Sequence, residues 1–167
     1  MVDFAKQLKL KLEQKETPVN VNTTPNFTSI LDEAPSEVAK PKPLPEGTYL
    51  CVVGGPRYDK SSKKGTPFVE FILRPIAAED DVDVDELDAT GGFEGRNIFA
   101  TYYLTETQKW RLDAFHEHCG IDLEEEASRR SRNDMVMNSQ ILAYVKHEPT
   151  EDGEEVRGKL SRTAPAE

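Results

Sequence analysis

Apolar and polar positions begin to alternate just after Gly47. Residues 48–53 (TYLCVV) are rich in β-branched and aromatic side chains behind a Glu46-Gly47 turn, which predicts a strand. Gly54, Gly55 and Pro56 then predict a break or a bulge. A second strand is expected over residues 68–73 (FVEFIL), where Glu70 is the one charged position and burial on nearly both faces follows. A third is expected in RNIFATYYL, where Ile98, Ala100, Tyr102 and Leu104 alternate with Phe99, Thr101 and Tyr103. SQILAYVKHEP and EVRGKLSRTAP, joined by the turn TEDGE, predict a closing hairpin.

Between the third and fourth strands the period changes. Thr105 and Gln108 stand at capping-box spacing, Leu112, Phe115 and Cys119 recur at core spacing, and Gly120 supplies a stop. LEEEASRRSRND, charged throughout, reads as a loop or a short helix, with Arg129, Arg130 and Arg132 on a solvated face beside Glu124. The order β-β-β-α-β-β predicts a mainly β domain over residues 47–165. A small OB-like five-stranded barrel with one helix between strands three and four suits it, although other small α+β sheets share that order.

Upstream of this domain the pattern is different. Residues 1–16 predict a short amphipathic helix with Phe4, Leu8 and Leu12 on one face among lysines. So short a helix needs a surface, either its own domain or a partner. Residues 17–46 hold Pro18, Pro25, Pro35, Pro41, Pro43 and Pro45, which predicts an extended arm or linker. Its apolar island NFTSIL offers Phe27, Ile30 and Leu31 either as a partner-docking motif or as a patch on the parent domain. A second departure is the insertion at 77–92, where Glu79, Asp80, Asp81, Asp83, Asp85, Glu86 and Asp88 predict an extended, exposed segment by self-repulsion.

Charge narrows the function classes. Acidic residues outnumber basic ones 31 to 21 in 167 residues, for a formal net charge of −10. Such a field opposes bulk binding of nucleic acid but leaves a local basic groove open. The densest basic stretch is RYDKSSKKGTPF, residues 57–68, with Arg57, Lys60, Lys63 and Lys64. It is no phosphate-binding loop, because lysine precedes glycine and a strand follows. Cys51 and Cys119 form no C-x-x-C pair, and the opening residues lack a secretory pattern, so a reduced, intracellular protein is expected. No run approaches the roughly 18 apolar residues of a membrane span.

Metal and catalytic chemistry find little support. Asp81, Asp83 and Asp85 are spaced like calcium ligands, but Glu86 occupies the sharp-turn glycine position and Gly92 stands where a bidentate glutamate belongs. His116 and Cys119 are helical neighbours, yet His118 points away and a fourth zinc ligand is missing, so two surface histidines and a buried cysteine are expected. No nucleophile–base pair is legible. The expectation is therefore no metal, no cofactor and no enzyme.

The succession of Pro45, Gly47 and Tyr49, Lys60 to Gly65, Gly95-Arg96, Cys119-Gly120 and the final hairpin resembles a phage-encoded family of unknown function whose members sit among recombination and replication genes. The resemblance covers residues 44–165. It implies a phage origin, an OB-like domain and a non-catalytic accessory role on single-stranded DNA in the host cytoplasm. Single-strand binding needs cations for the backbone and aromatic faces for bases. Arg57, Lys60, Lys63, Lys64, Arg74 and Arg96 are the candidate cations, and Tyr58, Phe68, Tyr102 and Tyr103 the candidate platforms. The arm would recruit a protein partner, and self-association stays open. The alternative is a virion decoration or assembly protein that lashes its arm to neighbouring subunits. A third reading is an acidic inhibitor using residues 79–88.

Overall fold

Successive strand side chains point to opposite faces of a sheet, so the alternating segments bury every second residue. A computed structural model of the chain describes residues 41–124 and 128–167. The expected helix at 1–16 and the NFTSIL island, with Phe4, Leu8, Leu12, Phe27, Ile30 and Leu31, lie outside the described residues. The elements are β1 (Gly47–Lys60), β2 (Pro67–Ala78), α1 (Val84–Ala89), β3 (Ile98–Tyr103), α2 (Lys109–His118), α3 (Arg129–Met135), β4 (Gln140–Pro149) and β5 (Val156–Pro165). The five strands form one antiparallel sheet in the order β3-β2-β1-β4-β5. The sheet is not closed into a barrel. Its edges, β3 and β5, share no ladder.

The core lies on one face. Tyr49, Cys51 and Val53 of β1, Val69, Phe71 and Leu73 of β2, and Ile141, Ala143 and Val145 of β4 are buried at every second position. The outer residues of β2 are half-buried rather than buried, so the expected burial on both faces is not met. Glu70 explains this. On the outer face its carboxylate accepts from Arg57 at 2.9 Å and from Thr101 Oγ1 at 2.9 Å, which keeps that surface polar.

Gly54 and Gly55 do not end β1 but bulge it. Val53 pairs with Leu73 and Pro56 with Phe71, so two glycines stand opposite Ile72 alone, and a Cβ on Gly54 would approach the Ile72 carbonyl to 3.0 Å. β1 continues through Arg57–Lys60, which the sequence pattern had placed in the loop; the turn itself is the short stretch 61–66.

The acidic insertion is neither extended nor fully exposed. Asp83 caps α1 by accepting from the Glu86 amide at 3.0 Å, and Val82 and Leu87 enter the core. Self-repulsion loses because two apolar side chains in the acidic run find a buried site. The segment is pinned at Asp81, which takes Thr48 N–H at 2.9 Å and Thr48 Oγ1 at 2.8 Å. Burial pushes the Asp81 carboxyl up, but the two hydrogen bonds from Thr48 outweigh it and hold the group below its usual range. Gly47 makes the fit available. Its φ is +139°, and a Cβ there would lie 2.6 Å from Val82 Cγ2.

Two helices, not one, join β3 to β4. α2 starts at Lys109 without a side-chain cap: Thr105 closes the preceding turn through its carbonyl, and the expected capping box does not form. Its end at Cys119-Gly120 is as expected, with Gly120 at φ +79°. Phe115 fixes α2 to the sheet, with ring centroids 4.7 Å from Phe71 and 5.0 Å from Tyr102. Truncating a buried phenylalanine of this kind costs about 3–5 kcal/mol. Chain entry is moored too. The Tyr49 hydroxyl donates to the Pro45 carbonyl at 2.9 Å, and His147 Nε2 donates to the Leu44 carbonyl at 2.7 Å. Burial pushes the Tyr49 phenol up to about 12.

Candidate functional site

Because no ladder joins β3 to β5, a cleft of about 1020 Å³ remains between these two edge strands, with α2 along its side. Phe99, Thr101 and Tyr103 of β3 form one wall, and Arg157, Lys159 and Arg162 of β5 the other. Trp110, Arg111, Ala114 and His118 of α2 border it, and Pro43, Leu44 and Val145 close one end. Local sequence accounts for each wall. Cations on β5 protect an open sheet edge at little cost, whereas the alternation in β3 puts Ile98 and Ala100 in the core and turns Phe99 and Tyr103 outward.

Among the described residues lining the cleft there is no aspartate or glutamate, although the chain as a whole carries a formal charge of −10. Its cations differ in their commitments. Arg96 donates to the carbonyls of Lys42 and Thr90, at 2.5 and 2.7 Å, and so ties the entering chain to the end of α1. Lys159 reaches both oxygens of Glu148, at 3.1 and 3.0 Å. Arg162 lies over the Tyr144 ring at 5.1 Å. Arg111 and Arg157 have no carboxylate partner among the described residues. Aromatic surface accompanies them: Phe99 is 53 %, Tyr103 38 % and Trp110 64 % exposed.

Tyr102 sits deeper. Burial raises its phenol well above the usual range, against the opposing hydrogen bond with Thr163. Thr163 in turn meets His118 Nδ1 at 2.8 Å, which joins α2 to β5. Tyr102 packs half-buried against the core, whereas Tyr103 stands exposed.

The basic stretch that stood out in the sequence is elsewhere. Of its residues, Arg57 is engaged by Glu70, and Lys63 pairs with Glu151 of the β4–β5 turn at 3.0 Å. Lys60 and Lys64 are exposed. None of Arg57, Tyr58, Lys60, Lys63 and Lys64 lines the cleft, whereas Arg96, Tyr102 and Tyr103 do. Phe68 meets Tyr103 edge-on, with centroids 6.0 Å apart, and Arg74 lies exposed on β2. Trp110, Arg111, Arg157, Lys159 and Arg162 were missed. A signal was present in β5, where VRGKLSR places a cation at nearly every second position.

Tyr58 has a different role. Its hydroxyl accepts from Asn133 Nδ2 at 3.0 Å, and Arg130 lies 5.9 Å from its ring centroid. With its amide so oriented, Asn133 presents Oδ1 to His116 Nε2 at 2.8 Å. The imidazole therefore carries its proton on Nε2, while Nδ1 is buried without a partner among the described residues. His116 is not the surface residue expected; it is fully buried on the core side of α2. Burial lowers its pKa, against the opposing effects of Asn133 and Asp113. Arg129 and Arg132 pair with Asp113, at 2.6 and 3.5 Å, across the α2–α3 junction. Burial pushes both cysteine thiols up to about 12, away from thiolate chemistry.

No group of three or more histidine, cysteine, aspartate or glutamate side chains suited to a metal ion occurs among the described residues, and no described helix is long and apolar enough to cross a membrane. The chain matches no family model and no curated protein.

Proposed function

We propose that the protein binds single-stranded DNA, without catalysis, along the cleft between β3 and β5. One observation carries this reading: cations and exposed aromatic rings share a cleft with no carboxylate lining, in a protein of strongly negative charge. Single-strand binders combine a positive track for the backbone with rings on which bases stack. The negative charge elsewhere confines the attraction to this track and disfavours contact with nucleic acid over the rest of the surface.

The strand order supports an OB-like architecture of the partly open kind, since β1 pairs with both β2 and β4 and a helix follows β3. The family resemblance supports a phage accessory role in replication or recombination within the host cell. Fluorescence anisotropy of a labelled oligonucleotide, titrated at two salt concentrations, tests the proposal. Binding that weakens steeply with salt is the expected result. A flat titration at low salt overturns it.

A further inference from the structure

The cleft's most exposed aromatic ring stands on the helix beside it rather than on the sheet. Trp110 opens α2, and residues four apart on a helix lie one above another, so Trp110, Ala114 and His118 form a single line along the cleft. The core side of α2 is carried by Leu112, Phe115 and His116 instead. Trp110 thus forgoes the largest apolar burial any residue type offers and remains 64 % exposed. Among the described residues its ring makes no aromatic contact and its indole nitrogen no hydrogen bond. Of the four exposed aromatic residues among the described ones, Phe99, Tyr103 and Trp110 border this cleft; the fourth is Tyr58.

We infer that Trp110 is a stacking platform for an unpaired base, with the adjacent Arg111 and the facing Arg157 holding the flanking phosphates. The inference rests on the proposed single-strand binding and adds to it the group that recognises the ligand's bases. An indole face pairs with the face of any base, so recognition here is tolerant of sequence. It also requires that face to be free. A duplex hides its base faces in the stack and offers only phosphates, so the platform selects unpaired strands.

The chain contains one tryptophan, so its intrinsic fluorescence reports this position alone. Full-length protein is titrated with an unlabelled thymidine oligonucleotide while tryptophan emission is followed. Anisotropy of a labelled strand is measured in parallel for wild type, Trp110→Ala, Trp110→Phe and Arg111→Ala. Stacking predicts quenching that tracks binding and a loss of affinity of about ten-fold or more in Trp110→Ala. It also predicts substantial recovery in Trp110→Phe. The salt slope should stay unchanged in Trp110→Ala and become shallower in Arg111→Ala. If wild type binds with unchanged emission and Trp110→Ala binds equally well, the inference is overturned while single-strand binding stands. If wild type shows no binding by anisotropy, both fall.

Discussion

The basic turn and the cleft invite opposite conclusions from the same residue types. Residues 57–64 hold four cations in eight positions, yet Arg57 and Lys63 are paired with Glu70 and Glu151, and the facing turn contributes Asp152, Glu154 and Glu155. The cleft gathers cations from the approach to β3, from α2 and from β5; Lys159 is held by Glu148, but Arg111 and Arg157 have no carboxylate partner among the described residues. Density along the chain therefore misleads. What an anion encounters depends on which charges surround each cation in space, and exposed pairs such as Lys63 with Glu151 present nearly neutral surfaces.

The sharpest separation of the two regions comes from charge removal. Arg111→Ala with Arg157→Ala should weaken oligonucleotide binding about a hundred-fold at low salt and flatten the salt slope by about two, measured by anisotropy. Equal affinity in this double variant would return the interface to the turn. Next in size, Arg57→Ala should cost about 1–2 kcal/mol in urea unfolding while leaving affinity unchanged. Glu70, whose side chain is only 15 % exposed, loses its cation. A variant that keeps its stability and loses affinity would instead make Arg57 a DNA contact.

A third comparison uses pH. The folded pKa of His116 lies below its unfolded value near 6.5, so the unfolded chain takes up the proton first. This contribution to stability is fully present above pH 6.5 and is lost as pH falls toward the lower folded value, with a slope no steeper than about 1.4 kcal/mol per pH unit. Thermal melts of wild type should therefore fall more over that interval than those of His116→Asn; parallel curves would remove the imidazole from the account. The smallest effect belongs to the turn: Lys60→Ala with Lys64→Ala should change affinity less than about two-fold and stability by less than about 0.5 kcal/mol.

The strands were legible because period-two burial leaves a direct trace. Tyr49, Cys51 and Val53 stand inward as the pattern requires, and β2 and β3 are neighbours. Three features were not legible, each for a physical reason. Val82 and Leu87 are two apolar residues in an acidic run, and only the pocket over Gly47 reveals that they are buried. His116 reads as a polar residue on a charged helix, and its burial depends on Asn133 of another element. The cleft is assembled from residues up to 120 positions apart, from Pro43 to Thr163, and follows from β3 and β5 failing to close. Arg96, a candidate DNA contact in the sequence, lines the cleft, and its carbonyl partners at Lys42 and Thr90 make it a clasp.

That clasp has a mechanical consequence. Residues 42–45 are gripped through backbone carbonyls by Arg96, His147 and Tyr49, which belong to three separate parts of the fold. Tension arriving from the upstream chain would meet these anchors in succession at Lys42, Leu44 and Pro45, before the first rung of β1 carried any load. Each of these grips is on the main chain, and the buried side chains of Leu44 and Pro45 add packing to them. The domain thus holds its incoming strand as a cleat holds a line, with the sheet shielded from the pull.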